Sequence, residues 1–198
     1  MLRKIVLVLL VATAALLAWV AIQPSSYRVE RSVVVAAAPA QVYGHVYDLE
    51  KWQAWSPWAK LDPAAKIAFE GPRSGPGAIM RWAGNEKVGR GAMAITEAKP
   101  VEALTIQLDF VEPFEGTSTT RFSFVPQGEN TRVMWSLEGR QGYLERLAGT
   151  VLGIDVEGMI GQDYERGLAN LKAIAEVAQP NVQTQPQAAP TPLPQDPG

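Results

Sequence analysis

The residues able to do chemistry are few. One imidazole, His45, and no cysteine among 198 residues remove disulfides, Cys-ligated zinc, iron–sulfur clusters and thiol nucleophiles together. No metal site and no cofactor is implied. Acid–base catalysis needs a carboxylate held in apolar surroundings with a raised pKa. Asp109 alternates outward on its strand, and Glu112 precedes Pro113 at a strand end, so the pattern forces neither inward. Arg81, between Met80 and Trp82, points to the wet face as well. His45 falls off the Val42/Val46/Leu49 stripe of its helix, which predicts a solvated imidazole without a visible orienting partner. No catalytic residue is assigned. What the chain does offer is aromatic surface. Trp52, Trp55 and Trp58 recur every three residues, on one side of a helical turn, and Trp82, Phe110, Phe122 and Trp135 lie on strands. Rings in such numbers either line an apolar pocket or pin short helices onto a core.

The elements that must position these rings follow from periodicity. Residues 27–35 (YRVERSVVV) read as a strand, and Pro39 then opens a short helix at its first position. Strand-like runs follow at 66–70, 78–83, 90–97, 103–111, 117–125 and 131–138, with hairpin positions at Asn85, Gly128 and Asn130. Leu104, Ile106, Leu108 and Phe110 share one face, as do Phe122 with Phe124, and Val133 with Trp135 and Leu137. Their alternates are mostly polar, so the sheet has one apolar face that something must cover. The cover is 155–177, where Ile160, Tyr164, Leu168, Leu171 and Ala175 recur at helical spacing. Gly158, Gly161 and Gly167 in that helix signify either close packing on the sheet or a void left by missing side chains. The stretch 143–154, with Leu144, Leu147, Val151 and Leu152 on one side, suits a lid, a bilayer-dipping patch or packing under the sheet edge.

The two ends stand apart from this domain, 27–177. Residues 5–22 are uncharged and nearly all apolar after Arg3 and Lys4, about the length that spans a hydrocarbon core. Trp19 occupies a position where signal cleavage wants a small residue, so 1–23 reads as an uncleaved anchor. The positive-inside rule holds Arg3 and Lys4 in the cytoplasm. The expectation is a single-pass bacterial inner-membrane protein with its C-terminal domain in the periplasm. Residues 178–198, rich in Pro and Gln, are expected to be a disordered tail. Lys plus Arg (18) and Asp plus Glu (20) nearly balance, and no basic run lies beyond the N-terminus, so no nucleic-acid footprint exists.

The ordered domain resembles the START-like helix-grip superfamily, in its polyketide cyclase/dehydrase and lipid-transport branch (SRPBCC). The resemblance is carried by Ala38-Pro39-Ala40-Gln41-Val42-Tyr43, Trp52-Gln53-Ala54-Trp55-Ser56-Pro57-Trp58 and Trp82 before a turn. It continues through Gly89-Arg90-Gly91, Phe110-Val111-Glu112-Pro113-Phe114, Val133-Met134-Trp135 and the helix from Gly161 to Lys172. It implies an α+β fold in which a strongly curved antiparallel sheet wraps around a long C-terminal helix, with an apolar cavity between them. On that basis Trp82, Phe110, Phe122, Trp135, Tyr164 and Leu168 are the candidate ligand-binding residues. The leading expectation is a membrane-anchored, non-enzymatic protein holding a lipid-like or isoprenoid molecule. The alternatives are a cyclase/dehydratase-type enzyme using a carboxylate or tyrosine in the cavity, and a structural or interaction module whose cavity its own side chains fill.

Overall fold

The computed structural model describes residues 1–113, 115–153 and 155–177. Phe114, Ile154 and the segment 178–198 lie outside the described residues, and with them the expectation of a disordered tail. The N-terminal apolar run forms α1 (Leu2–Ile22), whose 21 residues make a helix about 30 Å long. That is long and apolar enough to cross a bilayer. Val20 alone is buried among its residues.

The domain begins with β1 (Ser26–Val35). Pro39 then starts α2 (Pro39–Tyr47), where its missing N–H is no loss and its φ suits a helix. A 3-10 turn (Leu49–Lys51) follows, capped by the Asp48 carboxylate accepting from the Glu50 N–H at 3.1 Å, and leads into α3 (Trp52–Trp55). Six strands come next: β2 (Lys66–Glu70), β3 (Ile79–Ala83), β4 (Arg90–Lys99), β5 (Ala103–Glu112), β6 (Gly116–Gln127) and β7 (Asn130–Arg140). Two helices close the domain, α4 (Tyr143–Leu152) and α5 (Val156–Val177). The element order matches the sequence expectation, with α4 a separate helix on the amphipathic stretch. β4 runs past 97 to Lys99 because a register shift between Ile95 and Glu97 lets pairing resume beyond Thr96.

The seven strands form one antiparallel sheet in the order β1-β7-β6-β5-β4-β3-β2. Cross-strand partners share a face, so the register defines its inner rows. The middle of the sheet carries Val29, Leu137, Thr120, Ile106 and Ile95, then Arg31, Trp135, Phe122 and Leu104. One strand end carries a row of Gly116, Phe110, Gly91, Trp82 and Ile67. Helix α5 lies along β1: Arg31 pairs with Glu165 at 2.7 Å, Lys172 donates to the Val34 carbonyl at 2.7 Å, and Glu176 accepts from the Ala36 N–H at 2.7 Å. The helix therefore grips the β1 side of the sheet.

One glycine of α5, Gly167, serves close approach. A Cβ at Gly167 would lie 2.7 Å from the Trp135 ring and 3.0 Å from Pro57, whereas one at Gly161 would meet the mobile end of Arg31. Gly167→Ala gains up to about 1 kcal/mol in helix propensity but overpacks a rigid ring at about 1–3 kcal/mol. We therefore expect a lower melting temperature for Gly167→Ala and little change for Gly161→Ala, both read by thermal unfolding. A stabilised Gly167→Ala would mean that a gap exists there.

Candidate apolar binding site

The candidate residues divide into two groups. The first is solid. Trp135 lies face to face on Tyr164 (centroids 3.7 Å, 14°) and on Phe122 (4.8 Å, 26°). Trp52 and Trp55 press their edges on Phe122 and Trp135 at 5.6–6.1 Å. All of these rings, and Leu168, are buried. At this point of the grip the expected space between sheet and helix is closed by stacked rings. The Trp52 and Trp55 indole N–H groups donate to the carbonyls of Val46 (2.9 Å) and His45 (3.1 Å), among the last carbonyls of α2, which helix geometry leaves without partners. These two tryptophans thus pin the short helices to the sheet. Trp58 is half-buried at the rim and donates to Asp163 at 3.2 Å.

The second group is open. Trp82 meets the edge of Phe110 at 6.0 Å, and its indole N–H donates to the Val88 carbonyl at 3.1 Å. Its ring covers Gly91, where a Cβ would lie 2.5 Å from it, so the row needs glycine there to let the ring lie flat. Phe110 is 37% exposed and Phe69 44%, while Ile67, Trp82 and Leu108 are half-buried. Together they make an apolar floor at one strand end, away from the α5 contacts. Leu108 stands on the apolar face that alternation predicts, whereas nothing in the sequence singles out Ile67 and Phe69; the cross-strand register, with Ile67 opposite Trp82 and Phe69 opposite Met80, is what joins them to it. At the same strand end, across β1, β7 and β6, an open groove of about 560 Å³ includes Ser26, Tyr27, Ser118 and Gly139 in its lining.

The match to a family model covers residues 26–176, the whole gripping domain, and that model describes polyketide cyclase / dehydrase and lipid transport proteins. The chain belongs to this family. Solved structures similar to this polyketide cyclase/dehydrase and lipid transport domain include TTHA0849 from Thermus thermophilus, with 20% identity, TM-score 0.56, and coverage of 78% of this chain and 100% of that one. CV1439 from Chromobacterium violaceum shows 19% identity and a TM-score of 0.54 over 78% of this chain and 99% of that one. The di-domain ARO/CYC StfQ from the steffimycin biosynthetic pathway shows 15% identity and a TM-score of 0.58, covering 77% of this chain and 51% of that one. These likenesses show the helix-grip fold. No curated protein matches the chain.

The candidate polar groups of this family member, around the ring stack and on the strands, are spoken for. Thr120 donates to the Ser136 carbonyl at 2.8 Å, so its hydroxyl proton is used, and it accepts from the Trp135 indole at 2.8 Å. The Tyr164 hydroxyl, 3.2 Å from Thr120 Oγ1, must then be the donor of that pair. Burial pushes the Tyr164 hydroxyl far above the ordinary tyrosine range, so it stays protonated and serves no general base at neutral pH. Glu112 is exposed and paired with Arg90 at 2.6 Å. Asp109 accepts from Thr117 at 2.9 Å on the outer face. Arg81, also outside, bonds Glu70 at 2.7 Å and holds its carboxyl below the usual range. None of these groups reaches the apolar floor in a state suited to proton transfer.

His45 is not the solvated residue that helix periodicity predicts. It is half-buried, and its backbone carbonyl accepts the indole N–H of Trp55 from the next helix. Burial, and then the charge of Lys51, lower its pKa from the ordinary value. The folded state thus favours the neutral ring, and the stability this contributes is present above about pH 6.5 and lost as pH falls below that value. As the one histidine of the chain, it is the side chain whose ordinary pKa falls in this window. Melting curves between about pH 7.5 and 5.5 should fall less steeply for His45→Gln than for the parent. Parallel profiles would mean that the imidazole is freely solvated.

Proposed function

We propose that the protein is a bilayer-anchored binding protein that holds a lipid-like or isoprenoid molecule against the open floor of Ile67, Phe69, Trp82, Leu108 and Phe110. One observation carries the reading. The open row of the sheet lies at the strand end that also holds Ser26 and Arg140, the first and last paired residues of β1 and β7. Three residues, Gln23 to Ser25, separate the end of α1 from Ser26, so this end sits beside the anchor. An apolar molecule leaving the leaflet meets Phe110 and Trp82 without crossing water. Family membership supports the class of ligand, and the closed ring stack behind the floor supports binding at the mouth of the grip. With Arg3 and Lys4 retained in the cytoplasm, α1 is a single pass through a bacterial inner membrane and the domain is periplasmic.

The test is native mass spectrometry of the full chain released from nanodiscs, followed by organic extraction. A lipid or isoprenoid held in near-stoichiometric amount, beyond what the anchor segment alone retains, is the expected result. A chain that stays empty when offered membrane extract would sink the binding reading and move the cyclase/dehydratase and interaction-module readings ahead of it.

A further inference from the structure

Helix α4 is amphipathic in the wrong sense for a soluble domain. Leu144, Val151 and Leu152 share one side of it and are 75%, 62% and 70% exposed. Arg146, on the other side, is half-buried and donates to the Gln141 carbonyl at 3.1 Å. Leu147, beside them, is half-buried, and Glu145 and Thr150 are exposed, so the helix turns Arg146 toward the protein and leaves Leu144, Val151 and Leu152 facing outward. Among its described residues none is buried, so α4 contributes little to the core that holds the sheet.

Its neighbour says what the apolar side faces. α4 packs against α1, and the Tyr143 hydroxyl donates to the Leu17 carbonyl at 3.1 Å. Leu17 lies five residues before the end of α1, which at the helical rise is about 7–8 Å inside the apolar segment. Amphipathic helices lying in a membrane surface bury their apolar side by about 5–10 Å. Trp19 is half-exposed on the same last turns of α1, and Tyr143 sits beside them, the two ring types that collect at the headgroup level.

We propose that α4 is an in-plane interfacial helix that sinks Leu144, Val151 and Leu152 into the outer leaflet around α1. The domain is thereby fixed at two points, with the open strand end facing the bilayer. This rests on reading α1 as retained in the membrane, and the experiment separates the two.

The chain has no cysteine, so single-cysteine variants can be labelled cleanly with an environment-sensitive fluorophore. Leu10→Cys (centre of α1), Leu144→Cys, Val151→Cys and Gln127→Cys (the exposed far end of β6) would be made in the full chain. Each would be reconstituted in phosphatidylethanolamine/phosphatidylglycerol vesicles carrying nitroxide lipids at shallow or deep positions. The labelled sites are exposed, and near-UV circular dichroism checks that each variant keeps its fold. The expected result is deep quenching at position 10, shallow quenching with blue-shifted emission at 144 and 151, and none at 127. Quenching at 10 with 144 and 151 as aqueous as 127 would overturn the interfacial helix while leaving the anchor in place. Absence of quenching at 10 would remove the anchor and the proposal with it.

Discussion

Trp135→Ala is expected to lower the unfolding free energy by about 3–5 kcal/mol, the range for deleting a large buried ring. The ring is 1% exposed and is held between Tyr164 and Phe122, with Trp52, Trp55 and Trp58 at its edges. Truncation opens a void bounded by five other rings, anchored from the sheet, α3, the turn after it and α5, which cannot all collapse into it. It also removes the indole donor to Thr120. A folded domain of this size has only about 5–15 kcal/mol to lose. Urea titration should therefore show a much lower midpoint with an unchanged slope. A loss of about 1 kcal/mol or less would mean that the stack is loose, and that the space between sheet and α5 is available to a guest after all.

The second large effect concerns ligand more than fold. Phe110→Asp should weaken retention of the apolar ligand about ten- to a hundredfold. Burial of a phenyl ring against a guest is worth about 1.5–3 kcal/mol, and each 1.4 kcal/mol is about a factor of ten. The ring stands 37% exposed and edges onto Trp82, so stability should fall by about 1–2 kcal/mol, well short of the loss at Trp135. The measurement is the fraction of chain carrying ligand in native mass spectra, beside a urea midpoint. Retention equal to the parent, with the fold intact, would place the ligand elsewhere. Trp135→Ala and Phe110→Asp thus have opposite signatures, although the two rings look alike in the sequence.

That likeness marks the limit of what the sequence could tell. The period of two assigned Leu104, Ile106, Leu108 and Phe110 to one face, and the register confirms it. Helical spacing located Tyr164, Leu168, Leu171 and Ala175, all buried on α5. What alternation cannot give is how far along the sheet the covering helix reaches. Trp82 and Trp135 occupy equivalent inward positions, yet α5 runs over β1 and leaves the far ends of β3 and β5 bare, a matter of pairings between residues more than a hundred apart in the chain, such as Ser26 with Arg140. His45 escaped for a related reason. Periodicity describes one helix, whereas the surroundings of His45 include the next one, whose Trp55 bonds its carbonyl. The resemblance carried the fold because its motifs fall on the places where elements meet, from Pro39 at the start of α2 to Gly167 under Trp135.

The order of the sheet also sets a timetable. β1, the first strand of the domain to be synthesised, pairs only with β7, and Val35 waits for Thr131. Roughly 100 residues must emerge in between, which at about 5–20 residues per second is a delay of about 5–20 s. Meanwhile β2 to β6 can zip as successive hairpins, each pairing with the strand just made. For that interval β1 stands as an unpaired edge, rich in Val33, Val34 and Val35. An edge of that kind invites pairing with a neighbouring nascent chain, so the hazard for this topology lies in the interval before β7 exists and not in the finished sheet.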